Sequence, residues 1–176
     1  NASNNVPVRT YVWGLDLSET MDGAGGVGGL LWVTLHPGSG APVGTHFCAY
    51  DGNGNIVALS AASDGSVSAR YEYGPFAEPI RVTGPAAAIT PFRFSTKRTC
   101  NATDLVLYEY RAYSSALGRW LSKDPIAEFS LRTGLDGLES VANLYLFSVN
   151  NPPNKLDKEG LLVLTFSSGW SFRDPV

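Results

Sequence analysis

Short runs in which apolar and polar residues alternate recur along the chain and predict β-strands. In residues 6–14, VPVRTYVWG, every second residue falls on the same face, which is the period of a strand. Residues 30–35, LLWVTL, form a second apolar run. Residues 45–84 read as four further strands separated by turns. The pattern therefore predicts a series of consecutive hairpins.

The breaks between these runs carry turn residues. They are DGNGN at 51–55, SDGS at 63–66 and GPFAEP at 74–79. Asp, Asn and Gly tolerate the positive φ of tight hairpin turns, and Pro ends a strand. The 19 Gly and 11 Pro of the chain agree with many turns. These features favour a mainly β, antiparallel fold.

An aromatic pattern recurs at the ends of the predicted strands. Tyr11 and Trp13 precede Gly14, and Tyr71 and Tyr73 precede Gly74. Residues 105–113, LVLYEYRAY, repeat the aromatic alternation a third time. Isolated hairpins cannot bury their apolar faces alone, so they must stack or form a curved sheet. The recurrence predicts a slice of a longer β-repeat array.

The last third of the chain is richer in loops. Weak helical spacing over residues 135–141 predicts one short helix. Residues 161–172, LLVLTFSSGWSF, predict a closing strand.

Charge and hydropathy exclude several classes of protein. The net charge is −3 and only 16% of residues are charged, without a basic cluster, so nucleic acid and anionic membrane surfaces are not expected partners. No apolar run approaches the length of a transmembrane span. The chain opens in a strand pattern without a signal peptide, which indicates a piece of something longer.

No cofactor or metal site is expected. His36 and His46 lie among glycines without a Cys or carboxylate at metal-ligand spacing. The Gly-rich residues 21–29, MDGAGGVGG, lack the strand, helix and Lys or Ser/Thr of a phosphate-binding loop.

Two pairs of residues are candidates for covalent modification. Cys48 and Cys100 are either two buried free thiols or a single disulfide, and only geometry can distinguish these. Asn1 and Asn101 begin the triplets NAS and NAT, which match the N-glycosylation acceptor pattern.

Longer motifs resemble a known family. Residues 47–84, FCAYDGNGNIVALSAASDGSVSARYEYGPFAEPIRVTG, resemble a YD repeat. PFRFSTK, YEYRAYSSALGRWLSKDPI and NLYLFSVNNPPNKLDKEGL then resemble, in order, the Rhs repeat-associated core domain. The resemblance runs from about residue 6 to residue 161, and the order of the motifs makes it specific.

The resemblance implies a fold and a division of the chain. Members of the family form a hollow shell of spiralling antiparallel strands around a C-terminal polypeptide, and the core domain closes one end. Residues 1–91 would then be YD-repeat hairpins, residues 92–161 the Rhs core with its loop-rich closing segment, and residues 162–176 a short tail.

The resemblance also implies chemistry. Many members cut their own chain after the closing motif with two aspartates and an arginine, in the manner of an aspartic protease. By motif, these roles fall on Arg111, Asp124 and Asp157, and the cut falls between Leu161 and Leu162. Ala112 and Lys158 depart from the Tyr and Pro of the family motifs, and an insertion, residues 127–142, separates the two aspartates.

The same residues have simpler interpretations. Asp124 precedes Pro125 and could belong to an ordinary turn, and Asp157 could brace its loop. Arg111 could pair with Glu109 or Asp104 on a sheet.

Three functions follow as hypotheses. The first is a shell fragment that encloses or presents a partner polypeptide and cleaves itself. The second is a filament or surface-assembly subunit joined to neighbouring copies through strand edges. The third is a carbohydrate- or receptor-binding module that uses exposed aromatics. The resemblance implies a bacterial protein, secreted or at the cell surface.

Overall fold

The computed structural model describes residues 5–19, 21, 24–128, 143–157, 159–161 and 163–165. Within these residues, twelve strands are arranged in three antiparallel sheets. The strands are β1 Arg9–Trp13, β2 Leu30–Leu35, β3 Gly44–Tyr50, β4 Ile56–Ala61, β5 Val67–Tyr73, β6 Pro79–Thr83, β7 Arg98–Thr99, β8 Leu105–Leu107, β9 Ala112–Ser114, β10 Arg119–Trp120, β11 Lys155–Asp157 and β12 Val163–Thr165. The prediction of a mainly β, antiparallel fold is confirmed.

The first sheet is a six-stranded meander in which each strand pairs with its neighbour in the chain, from β1 to β6. The polar turns predicted from the sequence connect these strands. In one of them the Asp51 carboxylate accepts hydrogen bonds from the backbone N–H groups of Asn53 (2.9 Å) and Asn55 (3.0 Å). These bonds satisfy the turn backbone and bring β3 and β4 into register.

A hydrophobic core covers one face of this sheet. Its buried residues are Leu30, Val33, Leu35, Ile56, Leu59, Ala69 and Tyr71 from the strands, together with Ala86 and Ala87. The loop that carries the two alanines folds back over the sheet, where the Ala86 N–H donates to the Ser68 carbonyl (2.9 Å). Gly84 permits this return, because it has φ +103° and a Cβ there would lie 2.4 Å from the Ser68 oxygen.

A second core is mainly aromatic. Its buried residues are Ala77, Phe94, Val106, Tyr108, Tyr113, Trp120 and Phe147. They lie on and around the second sheet, whose order is β10-β9-β8-β7. Tyr73, at the end of β5, packs against both cores and joins them.

The third aromatic run contains a turn between two short strands. Residues 105–113 do not form one strand, because the Tyr108 N–H donates to the Arg111 carbonyl (3.0 Å) and closes a turn. The chain reverses there, and β8 pairs with β9 through Leu107 and Ala112. Arg111 consequently lies at the end of a turn instead of within a strand.

The C-terminal third is loop-rich, as expected. Residues 125–128 are helical, whereas the helix expected over residues 135–141 lies outside the described residues. The predicted closing strand includes β12, which pairs with β11.

In the described ranges no helix has the length and apolar character required to span a membrane.

The two faces of the first sheet should differ in their sensitivity to truncation. Leu59→Ala is expected to lower the free energy of unfolding by about 2–5 kcal/mol, because Leu59 is fully buried and a cavity would remain. Leu31→Ala is the matched control, since Leu31 is 44% exposed, and should change it by about 0.5 kcal/mol or less. Urea unfolding measures both, and equal costs would contradict the assignment of the faces.

Candidate functional site

Three chain segments that are distant in sequence meet around the side chain of Arg111. Arg111 ends the turn before β9, Asp124 follows β10 and precedes the helical residues 125–128, and Asp157 ends β11. The exposed fractions of these residues are 5%, 8% and 1%, respectively. The structure thus brings together the three residues to which the resemblance points.

The Arg111 guanidinium contacts both carboxylates through one nitrogen. Its Nη2 lies 2.9 Å from Asp124 Oδ2 and 3.1 Å from Asp157 Oδ2. Because both oxygens lie within 3.1 Å of one atom, they are at most about 6 Å apart. Arg111 Nε donates to the Gly160 carbonyl, and Nη1 donates to the Leu144 carbonyl (3.4 Å). Arg111 therefore links the two acids to the backbone of the closing motif.

Asp157 also holds the chain that follows it. Its Oδ1 accepts hydrogen bonds from the backbone N–H groups of Gly160 (2.6 Å) and Leu161 (3.1 Å). The carbonyl of Glu159 accepts from the Tyr110 N–H (3.2 Å). Residues 159–161 are consequently fixed on the triad, directly before the predicted cleavage position.

Asp124 caps the helical residues that follow it. Its Oδ1 accepts hydrogen bonds from the N–H groups of Ile126 (2.9 Å) and Ala127 (3.1 Å), as an N-cap does. Its own backbone N–H donates to the Leu144 carbonyl (3.0 Å), which Arg111 also contacts. The simpler interpretations of the two aspartates, a turn and a loop brace, are therefore also correct as descriptions of these contacts.

Arg111 does not pair with the acids on its own sheet. Glu109 forms an ion pair with Lys97 instead, at 2.7 Å. The alternative pairing of Arg111 with Glu109 or Asp104 is wrong, because the turn at residues 108–111 directs the guanidinium toward Asp124 and Asp157.

Burial shifts the ionisation of the site. Desolvation raises the pKa of the Asp157 carboxyl, against the lowering effect of the Gly160 N–H and of Arg111. Desolvation likewise lowers the pKa of Arg111, while the two carboxylates oppose that change. If both acids were ionised, the triad would carry one surplus negative charge in a buried place. A proton on one of the two acids removes that surplus, so the pair can supply both a general acid and a general base.

Sequence reasoning missed two members of the site. The ring of Trp120 lies under the guanidinium with 4.2 Å between its centroid and Arg111 Cζ. The Leu144 carbonyl accepts from two of the triad residues. The stacking of Trp120 on Arg111 depends on the register of the β9–β10 hairpin, which the residue pattern did not reveal, and a backbone carbonyl gives no signal in the sequence.

The remaining candidate residues lie elsewhere. Cys48 and Cys100 are free thiols, so the disulfide is not formed, and both are half-buried instead of buried. Asn101 is exposed, and its side chain contacts Arg93 and the Ala88 carbonyl. Its glycosylation stays a prediction.

Two further predicted positions cannot be compared with the structure. Asn1 and Leu162 lie outside the described residues, whereas Leu161, on the N-terminal side of the predicted cut, is half-buried.

An open cavity of about 540 Å³ lies between the first sheet and the aromatic core. Residues of β4 and β5, Phe94, Phe147 and Lys155 are among those that line it, and none of the triad residues does. The cavity is therefore separate from the cluster around Arg111.

Comparison with known proteins supports the fold. No family model matches the chain. Salivary gland surface protein 1 of Aedes aegypti is 30% identical over 103 residues, which are 57% of this chain and 3% of that protein. The crystal structure of TcdB2-TccC3-Cdc42 matches 74% of this chain at 28% identity with a TM-score of 0.58. The Photorhabdus luminescens Tc holotoxin pore with a mutation in TccC3 matches 78% at 26% identity with a TM-score of 0.61.

These relatives are far longer than this chain. The chain spans 3% of the salivary gland protein and 6% of the two Tc toxin chains. The mainly β structure of this chain thus resembles one section of these Tc toxin chains.

Loss of Arg111 should destabilise the fold much more than loss of a surface arginine. Arg111→Gln leaves two buried carboxylates without a cation and should cost about 3–5 kcal/mol of unfolding free energy. Arg81→Gln is the matched control, because Arg81 pairs with Glu72 at 3.3 Å with its side chain 60% exposed, and should cost less than about 1 kcal/mol. Urea unfolding at neutral pH compares them, and similar costs would show that the buried cluster is not stabilised by Arg111.

Stability should depend on pH through Asp157. An acid whose native pKa is raised binds its proton more tightly in the native state. The contribution of this acid to the free energy of unfolding is complete below its unfolded pKa of about 3.9. It is lost as pH rises through the native pKa. The free energy of unfolding of wild type relative to Asp157→Asn should therefore fall as pH rises from about 4.

Asp64 provides the control of opposite sign. Hydrogen bonds from Ser66 lower the pKa of this exposed acid, so the stability of wild type relative to Asp64→Asn should fall as pH decreases below about 4. Unfolding of both variants over a pH series is the measurement, and a common slope would contradict the raised pKa of Asp157.

Proposed function

We propose that this chain is the closing section of an Rhs/YD-repeat β-shell that encloses or presents a partner polypeptide. The six-stranded meander, the loop-rich closing segment and the similarity to Tc toxin chains support this proposal. Residues 1–91 would supply wall hairpins, and residues 92–161 would supply the cap. This role implies that the protein is secreted or lies at the surface of a bacterial cell.

We further propose that the chain cuts itself between Leu161 and Leu162. The observation that carries this proposal is the joint geometry of the triad and its backbone. One guanidinium nitrogen contacts both carboxylates, while the same Arg111 and Asp157 hold the carbonyl of Gly160 and the N–H of Leu161. The peptide group after Leu161 is thus attached to a fixed segment beside two acids, which lowers the entropy lost on the way to reaction.

The proposed reaction needs no nucleophilic side chain. Asp124, whose side chain is 12% exposed and so the more accessible of the two acids, takes a proton from a water. The water oxygen attacks the Leu161 carbonyl carbon, and Asp157 gives its proton to the carbonyl oxygen. The C–N bond then breaks, the proton held by Asp124 passes to the Leu162 nitrogen, and the oxygen of the carbonyl returns its proton to Asp157. The products are a carboxyl group at Leu161 and an amine at Leu162.

Arg111 has two tasks in this scheme. It compensates the negative charge of the acids, which would otherwise favour two protons and leave no base. It also binds the Gly160 carbonyl and so fixes the direction in which the chain leaves the site. Burial strengthens both interactions, because little water competes for them.

A second candidate function has one observation in its favour. All five residues of β6 are exposed, and this strand forms one edge of the first sheet, with Ile80 68% exposed. An exposed apolar edge can accept a strand from a neighbouring polypeptide or from another copy. Filament formation by the purified chain, followed by sedimentation, would favour this alternative. The carbohydrate- or receptor-binding role stays a prediction.

Self-cleavage is tested by intact-mass spectrometry during a time course after cell-free synthesis. Wild type should give a fragment that ends at Leu161 and a peptide of residues 162–176. Asp124→Asn should remain intact, because it cannot accept the proton of water. Asp64→Asn, at an exposed turn, should cleave as wild type does. An uncut wild-type chain, or an Asp124→Asn chain cut at the wild-type rate, would overturn the proposal.

A further inference from the structure

Trp120 occupies an unusual place between the aromatic core and the triad. It lies on β10, is 0% exposed, and pairs with Tyr113 of β9. One face of its ring meets the guanidinium of Arg111 at 4.2 Å. Cation–π attraction of this kind is strongest for Trp and for sites shielded from water.

The aromatic core prevents the indole from moving away. The ring centroids of Tyr108, Tyr113 and Phe147 lie 4.9, 5.5 and 5.5 Å from that of Trp120. Arg side chains otherwise have many rotamers, and a flexible guanidinium could face either carboxylate separately. A rigid aromatic platform selects the orientation in which Nη2 faces both acids and Nε faces the Gly160 carbonyl.

The same indole packs against the closing segment. A Cβ on Gly160 would lie 3.2 Å from Cη2 and 3.4 Å from Cζ3 of Trp120, and 3.2 Å from Cβ of Tyr108. Gly160 also has φ +82°, which favours glycine. The ring therefore touches both the arginine and the backbone that the arginine holds.

We infer that Trp120 is a positioning residue for this site, which orients the Arg111 guanidinium and seats residues 159–161 on the triad. Its role in cleavage rests on the self-cleavage proposed above. Its role in orientation rests only on the contacts of Trp120 with Arg111 and Gly160. Gly160 matches Trp120, because its positive φ favours glycine and a Cβ there would meet the indole edge at 3.2 Å.

The first test does not depend on cleavage. Hydrogen exchange of the Arg111 Nε–H, followed by NMR, reports whether the guanidinium stays bonded to the Gly160 carbonyl. Wild type and Trp120→Phe should exchange slowly, because Phe retains an aromatic platform. Phe also removes no hydrogen bond, since Trp120 Nε1 has no partner within the described residues. Trp120→Leu should exchange at least about 10-fold faster. Equal protection in all three chains would overturn the inference.

The second test measures the cleavage rate of the same variants. Trp120→Leu should cleave about 10-fold more slowly than wild type, and Trp120→Phe should recover most of that loss. Trp32→Leu is the matched control, since Trp32 packs against Phe47 on the other face of the first sheet, and should cleave at the wild-type rate. If wild type cleaves and Trp120→Leu matches its rate, the positioning role is wrong while self-cleavage stands. If wild type stays uncut, self-cleavage is wrong and the exchange experiment alone decides the role of Trp120.

A double substitution covers the case in which Trp120→Leu fails to fold. Gly160→Ala should slow cleavage and should lower the protection of the Arg111 Nε–H, because the added methyl group meets the indole edge. Adding Trp120→Phe removes the two indole atoms of that contact and should restore part of both signals. No recovery in the double variant would contradict a direct fit between Trp120 and Gly160.

Discussion

The structure of the closing segment depends on the burial of one guanidinium. A buried arginine cannot give up its charge, so it must be surrounded by acceptors. Arg111 finds them in two carboxylates and two backbone carbonyls that come from Asp124, Asp157, Leu144 and Gly160. Because these groups lie up to 49 residues away in the sequence, satisfying one side chain brings together four parts of the chain.

The same need to neutralise buried charge gives the site its capacity for acid–base chemistry. Two acids compensate one cation with a surplus of negative charge, and burial makes that surplus unfavourable. Desolvation of the buried carboxyl raises the pKa of Asp157, and the neighbouring Asp124 charge adds to that rise. The cluster that holds the closing segment together also contains two acids beside one cation, so stabilisation and the proposed catalysis use the same contacts. The aromatic core adds rigidity to this arrangement through the indole of Trp120 and the rings behind it.

The fold was largely predictable where the signals are local. Residues 30–35 form β2 as predicted, and the turn at Asp51 forms from a side chain that bonds to the backbone two and four residues later. The aromatic alternation at residues 105–113 did not locate the turn between Tyr108 and Arg111, because such a turn can carry the same pattern as a strand. Periodicity cannot distinguish the two cases when tertiary packing decides them.

The site was predictable only in part. The resemblance of the motifs pointed to Arg111, Asp124 and Asp157, but spacing alone could not bring together acids that are separated by a long insertion. The stacking of Trp120 on Arg111 depends on the register of the β9–β10 hairpin. The shared carbonyl of Leu144 comes from a distant segment, for which the sequence carries no local pattern.

The closing segment depends on direct coupling between Arg111 and Asp157, and a double-mutant cycle measures that coupling. The free energies of unfolding of wild type, Arg111→Gln, Asp157→Asn and the double variant give the coupling energy. The geometry, with 3.1 Å between Nη2 and Oδ2 and both side chains almost fully buried, predicts about 1–3 kcal/mol, so that the double variant costs less than the two single changes together. Additivity within about 0.5 kcal/mol would mean that the two groups do not interact, and the account of the closing segment would be wrong.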